Sequence, residues 1–222
     1  MKKLQLTLAI VLVSIFGTAF HHSKNYTISA DQESVKIGKQ IWMARNLDVV
    51  TFRNGDTIPE AKTPEEWKKA FDERKPAWCY LNNDPQHGKQ YGKLYNWYAI
   101  DDKRGLAPEG WAIPSLYDFT DMATFLKEKS AGTKLKHYTG WLPNDGKDGN
   151  GNNKSNFGAL PAGWRKNTGD FGFDGIATYY WTTSAPSMSA GWAAALFNHS
   201  PKLNQMVCNF GVGCSVRCIK SN

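Results

Sequence analysis

Apolar positions in this chain fall in short groups, and their spacing changes from one group to the next. Val35/Ile37 and Ile41/Met43 repeat with period two on either side of Gly38-Lys39, the pattern of a β-hairpin. Thr63-Pro-Glu-Glu66 predicts a helix start: Thr63 caps, Pro64 suits the first turn and Glu66 completes a capping box. Trp67, Ala70 and Phe71 then share one helical face. Pro76-Ala-Trp-Cys-Tyr80 reads as a strand running into an Asn82-Asn83-Asp84-Pro85 turn. For residues 91–100 the period fits a short helix carrying Leu94, Trp97 and Tyr98 inwards, or a strand. Ser115-Leu-Tyr-Asp118 is a second capping box, with Phe119, Met122, Ala123 and Leu126 as its buried stripe and a glycine cap expected near Ser130-Ala131-Gly132.

The last third, 156–220, is different. Ala159-Leu160, Gly163-Trp-Arg165, 178–183, 192–197 and 212–219 are short, aromatic or small-residue runs punctuated by glycine, as strands of a compact β-rich core would be. In 212–219, Cys214, Val216 and Cys218 share one face, so these two cysteines each reach a different element. No internal repeat or long linker interrupts the chain, which predicts a single domain over 35–222 after a flexible arm, 20–34.

The N-terminus adds a compartment. Lys2-Lys3 precede an apolar run over 4–16, and Gly17-Thr18-Ala19 offers small residues for cleavage, so 1–19 is expected to be a signal peptide. The run is shorter than the roughly 20 apolar residues of a membrane span. No cysteine precedes Cys79 to carry a lipid anchor, so the expected location is secreted or at the cell surface.

Net charge is +7, but the basic residues are interspersed, which argues against nucleic acid as a partner. Four cysteines in an exported chain suggest disulfides, and four allow three pairings. A zinc site with His199 fits less well, because C-x5-C-x3-C lacks the usual tight knuckle. The polar run after Trp141 holds oxygen ligands at Asn144, Asp145, Asp148, Asn150 and Asn152. A solvated loop is the leading expectation there, and calcium the alternative, with only two carboxylates to hold it. Glu65 and Glu66 are explained by their helix-start position rather than by acid–base chemistry.

Seven ordered blocks carry a family resemblance: Val35 through Leu47, Pro76 through Asp84, Tyr91-Gly-Lys-Leu-Tyr-Asn-Trp-Tyr-Ala99, Gly105 through Ser115, Phe157-Gly-Ala-Leu-Pro-Ala-Gly-Trp-Arg165, Tyr180-Trp-Thr-Thr-Ser184 and Ser215-Val-Arg-Cys-Ile219. Together they resemble the Fibrobacter succinogenes major paralogous domain, a family of exported proteins, over about residues 35–220. The resemblance implies an α+β, C-type-lectin-like fold: a twisted, mostly antiparallel sheet with two or three short helices and long loops. It implies the 116–130 helix and a partner near 92–100 as the fold's usual pair. It also implies a Cys79–Cys218 disulfide, which leaves Cys208–Cys214 as the second pair. Ala112 stands where relatives commonly carry histidine, and Thr182-Thr-Ser-Ala185 where they commonly carry an acid, so any site using those residues is altered here. No catalytic residues carry over.

The function expected on these grounds is a non-catalytic extracellular binding module for a carbohydrate or a surface protein, with Trp141, Trp164 and Arg165 as candidate contacts. A structural or adhesive envelope component is the alternative. An oxidase like the formylglycine-generating enzymes is the remote one, since paired cysteines would leave no reactive thiolate. Serine-hydrolase and zinc-protease motifs are absent from the sequence, and no cofactor is expected beyond the calcium alternative.

Overall fold

The computed structural model describes residues 34–221. The expected signal peptide, and all of the expected arm but Ser34, lie outside that span.

The chain opens with the hairpin its period predicts: β1 (Ser34–Ile37) pairs antiparallel with β2 (Gln40–Met43). Gly38 at φ +62 makes the turn, in a backbone region that costs glycine little. Helix α1 (Pro64–Asp72) carries the full capping box of Thr63 and Glu66 and buries Trp67. After β3 (Trp78–Cys79), the single turn α2 (Gly88–Tyr91) leads to β4 (Leu94–Tyr95), which pairs with β3. The ambiguous 91–100 stretch is thus both alternatives in succession: β4 ends at Tyr95, and the next residue, Asn96, caps the one-turn helix α3 (Trp97–Ile100) with its side chain. The helix implied near 92–100 is therefore reduced to one turn.

A short strand β5 (Trp111–Ala112) precedes α4 (Leu116–Phe125), capped by Ser115 and Asp118 as read. This helix stops before the expected glycine. The chain turns at Lys127, which itself takes the left-handed conformation at φ 68. Gly132 instead lies inside α5 (Ala131–Leu135), where a Cβ would come within 2.3 Å of the Lys202 carbonyl oxygen. Its role is close approach.

The last third forms a five-stranded sheet from β6 (Ala162–Arg165), β7 (Phe171–Asp174), β8 (Ala177–Trp181), β9 (Ala190–Phe197) and β10 (Asn204–Asn209). The order is β10-β9-β8-β6-β7, antiparallel except for a single parallel bridge between β6 and β8. The final strand β11 (Ile219–Lys220) joins β1, β2 and β5 in a second, antiparallel sheet of order β1-β2-β11-β5. The molecule is α+β.

Alternation along the large sheet sends side chains to two cores. Tyr179, Trp181, Ala193 and Ala195 enter one, with Trp97, Trp111 and Trp78. Tyr180, Ala194 and Leu196 enter the other, against Trp42 and the α4 residues Phe119 and Met122. The small residues of β9 make room for large neighbours. A Cβ on Gly191 would meet the Trp97 ring at 2.2 Å.

Residues 213–218, expected as one strand, instead thread between the sheets and are buried throughout. They bridge Gly213 to Arg165, Cys214 to Tyr95 and Ser215 to Tyr180. The carbonyls of Val216 and Cys218 accept from Leu47 and Met43. No helix among the described residues is long and apolar enough to cross a membrane.

Candidate functional site

The three residues expected to contact a ligand do not converge. Trp141 is buried, its Nε1 donating to the Ala159 carbonyl in the α4-side core. Arg165 is fully buried: its Nε donates to Gly169 O and its Nη1 to Ala61 O, while the guanidinium lies against the rings of Trp67 and Phe171. A residue so enclosed cannot meet an external ligand. Trp164, one position earlier on β6, points to the opposite face and is half-buried.

Trp164 belongs to a row of rings that crosses the large sheet. Phe173 on β7 meets it edge-on at 5.3 Å, and Tyr179 on β8 stacks under it at 4.9 Å. Phe197 on β9 lies edge-on to Tyr179 at 5.8 Å, and His199 stacks on Phe197 at 5.3 Å. One ring from each of four adjacent strands makes a continuous row, exposed at Phe173, half-buried at Trp164 and Phe197, and buried at Tyr179 where it joins the core. Phe173, at the open end, is 44 % exposed and sits at φ 63, a left-handed backbone that bulky side chains avoid. Holding it there costs on the order of 1–2 kcal/mol. Leu142, 51 % exposed, lies beside this end, where the Leu142 amide bonds the Gly175 carbonyl in the β7–β8 turn.

The other end of the row opens into a polar recess of about 260 Å³ lined by His199, Asn144, Asp145, Lys147, Asp148 and Asn150. Asn198 ties recess to row: its amide donates to Leu142 O and its backbone N–H to Ile176 O.

The loop of this recess is organised around an ammonium. Lys136 is buried, and its Nζ donates to the carbonyls of Gly149, Phe197 and Asn198 at 2.8, 3.0 and 3.3 Å, with the Trp141 ring 5.2 Å away. Burial pulls its pKa down to about 8, against the partly restoring charge of Asp148. The proposed calcium ligands are occupied within the loop. Asp148 Oδ1 accepts from the Asn150 backbone and side-chain amides, and Asn150 Oδ1 from Trp141 N. Asn152 Oδ1 accepts from Lys154 N, and Asp145 Oδ2 from the Asn144 amide. Lys136 thus holds the ends of the loop together through three backbone carbonyls.

The expected disulfides are not formed. All four cysteines are free and buried. Cys79 lies beside Arg165 and Cys218 beside Arg217, in different clusters, and burial pushes each thiol up to about 12. Cys208 and Cys214 lie in the same core cluster. Glu66 is confined to the α1 cap, its carboxylate accepting from the backbone of Lys62 and Thr63.

Sequence reasoning passed over Phe173, Phe197 and Lys136 as site residues, and weighed His199 only as a zinc ligand. Phe171-Gly-Phe-Asp174 was too short and too glycine-rich to stand out as a strand, and nothing local marks Lys136 as buried. The alternation of Tyr179 with Trp181 was the available signal for the row's face.

Fold and site together define an α+β domain with a partly exposed row of aromatic rings beside a polar recess. The chain matches the Fibrobacter succinogenes major domain over residues 35–220, and it belongs to that family. No curated protein and no solved structure matches it.

Proposed function

We propose that this chain is a non-catalytic, exported binding module of C-type-lectin-like architecture, and that the ring row and its recess hold a carbohydrate chain. The observation that carries this reading is Phe173, an aromatic held outward in an unfavourable backbone conformation at the head of a ring row that ends among amides and carboxylates. Strain of this kind persists where the surroundings impose it, and it clusters at binding sites. Sugars present apolar C–H faces and equatorial hydroxyls, so the rings would stack on the faces while Asn144, Asp145 and His199 bond the hydroxyls.

Affinity electrophoresis of the protein through a panel of soluble polysaccharides tests this. At least one polymer is expected to retard the protein, and Phe173→Ala to weaken that retardation. Loss of an aromatic contact worth about 1 kcal/mol corresponds to roughly fivefold in affinity. Phe71→Ala, on helix α1 and outside the ring row, is the control expected to bind normally. Equal retardation of wild type and Phe173→Ala would overturn the site; absence of retardation by every polymer would overturn the carbohydrate reading.

A structural or adhesive role is the second reading, supported by the outer edge of β10. This edge carries no charged residue or proline and exposes Met206 and Val207. Concentration-dependent sedimentation that Val207→Lys abolishes would favour it.

A further inference from the structure

The large sheet ends at β10, which has β9 on one side and, among the described residues, no strand on the other. Its register fixes which backbone groups face outward. Asn204, Met206 and Cys208 lie opposite Ala195, Ala193 and Gly191, and in the next such pair the Phe210 N–H donates to the Ser189 carbonyl. Hydrogen-bonded pairs alternate along an antiparallel ladder, so Asn204, Met206 and Cys208 bond towards β9. Trp192, opposite Val207, agrees: its N–H donates to Ser184 O and its carbonyl accepts from Thr182 N, both on the β8 side. The N–H and C=O groups of Gln205 and Val207 therefore point out of the sheet.

These two residues flank Met206 symmetrically. A two-fold axis perpendicular to the sheet keeps each face on its own side, so it must pass through a residue. Placed at Met206, it sets Gln205 opposite the partner's Val207 and Val207 opposite the partner's Gln205, and each facing pair exchanges two hydrogen bonds. An axis at Val207 would need Asn209, whose carbonyl already accepts from Val212 N where the chain turns off the edge. The side chains match as well. Gln205 donates to Thr120 on α4, and a groove of about 530 Å³ lined by Phe119, Ala123, Ala194 and Leu203 runs beside it. Val207, 50 % exposed, shares that face, so each copy's Val207 covers the mouth of the other's groove. No residue of β10 is charged, so two copies of a basic chain meet here without like charges in register.

We propose that β10 docks a second copy of this chain, antiparallel about a two-fold axis through Met206, so that two five-stranded sheets become one of ten. The proposal rests on the self-association of the structural reading above and gives it a partner, a symmetry and a register. The contact is closed: each edge is used once, and the product is a dimer rather than a fibre.

Met206→Cys and Val207→Cys, at exposed positions, are oxidised with copper–phenanthroline in the full chain and run on non-reducing gels, beside sedimentation velocity of the unsubstituted chain. Met206 faces its own counterpart in a pair without hydrogen bonds, with Cα atoms about 4.5 Å apart, inside disulfide reach. The two Val207 positions are about 8 Å apart, outside it. The expected result is a dimer by sedimentation and at least about tenfold more linked dimer from Met206→Cys than from Val207→Cys or the unsubstituted chain. A sedimenting dimer with equal linkage, with linkage through Val207→Cys alone, or with none would overturn this pairing while leaving self-association standing. A monomer at every concentration would overturn both and leave the edge to a different occupant. Should Met206→Cys fail to fold by circular dichroism, Asn204→Cys, opposite the partner's Cys208 in the same register, is expected to link in its place, and its failure to do so would overturn the pairing.

Discussion

Four cations are buried among the described residues, and three of them are held without a carboxylate in contact. Arg217 donates to Asn46 Oδ1 and to the carbonyls of Met43 and Phe157, beneath the Phe157 ring at 4.3 Å. Arg165 and Lys136 are held in the same manner, by carbonyl oxygens and aromatic faces. Lys93 adds a carboxylate, Asp48, at 3.4 Å to the Asp48 carbonyl and the rings of Trp78 and Tyr80. A buried charge without such contacts costs several kcal/mol, so each cation fixes the loops that supply its acceptors. At Lys136 this gives a pH dependence. Its folded pKa of about 8 lies below the ordinary 10.5, so between those values the unfolded chain keeps a proton the folded chain has released. Stability is therefore expected to rise with pH in that window. Urea midpoints of wild type minus Lys136→Met, measured from pH 7 to 10.5, should increase. The buried thiols and tyrosines, which act in the opposite sense, cancel in the difference. Millimolar calcium is expected to leave the wild-type thermal midpoint unchanged, and a clear upward shift would restore the ion site.

The helices with capping boxes were legible because a cap is a local device: Thr63 with Glu66, and Ser115 with Asp118, need only three residues of context. Replacing Thr63 by alanine should cost about 1 kcal/mol in urea unfolding, since the Glu66 amide loses its acceptor. The β1–β2 hairpin, β6, β8 and β9 were legible from period and turn chemistry. Strand β10 was not, because an edge strand with Gln205 and Met206 both exposed shows no alternation of polar and apolar. The ligand surface was misread for a related reason. Tryptophan marks both cores and sites, and whether Trp141, in a loop, or Trp164, on β6, faces out is a property of tertiary packing. Packing also sets the role of Gly191. Gly191→Ala would drive a methyl into Trp97 at 2.2 Å, and overpacking of that kind typically costs 1–3 kcal/mol. A thermal midpoint within a degree of wild type would contradict the close approach.

Across the whole molecule, the two sheets share no long strand and are joined through the C-terminal segment. Residues 213–218 touch β4, β6 and β8, and β11 then closes the sheet of β1, β2 and β5. Deleting 213–222 should therefore abolish cooperative unfolding rather than shorten one element, which a urea titration followed by tryptophan fluorescence would read directly. A truncated chain retaining a single sharp transition would show that the sheets cohere without it. The same arrangement places a constraint on synthesis. While residues 213–220 are still within the ribosome, β2 lacks its inner neighbour, Tyr95 has no partner at Cys214, and Arg165 faces an open gap where Gly213 belongs. The core of this domain is therefore expected to close only after that segment has emerged, late in the domain's own synthesis.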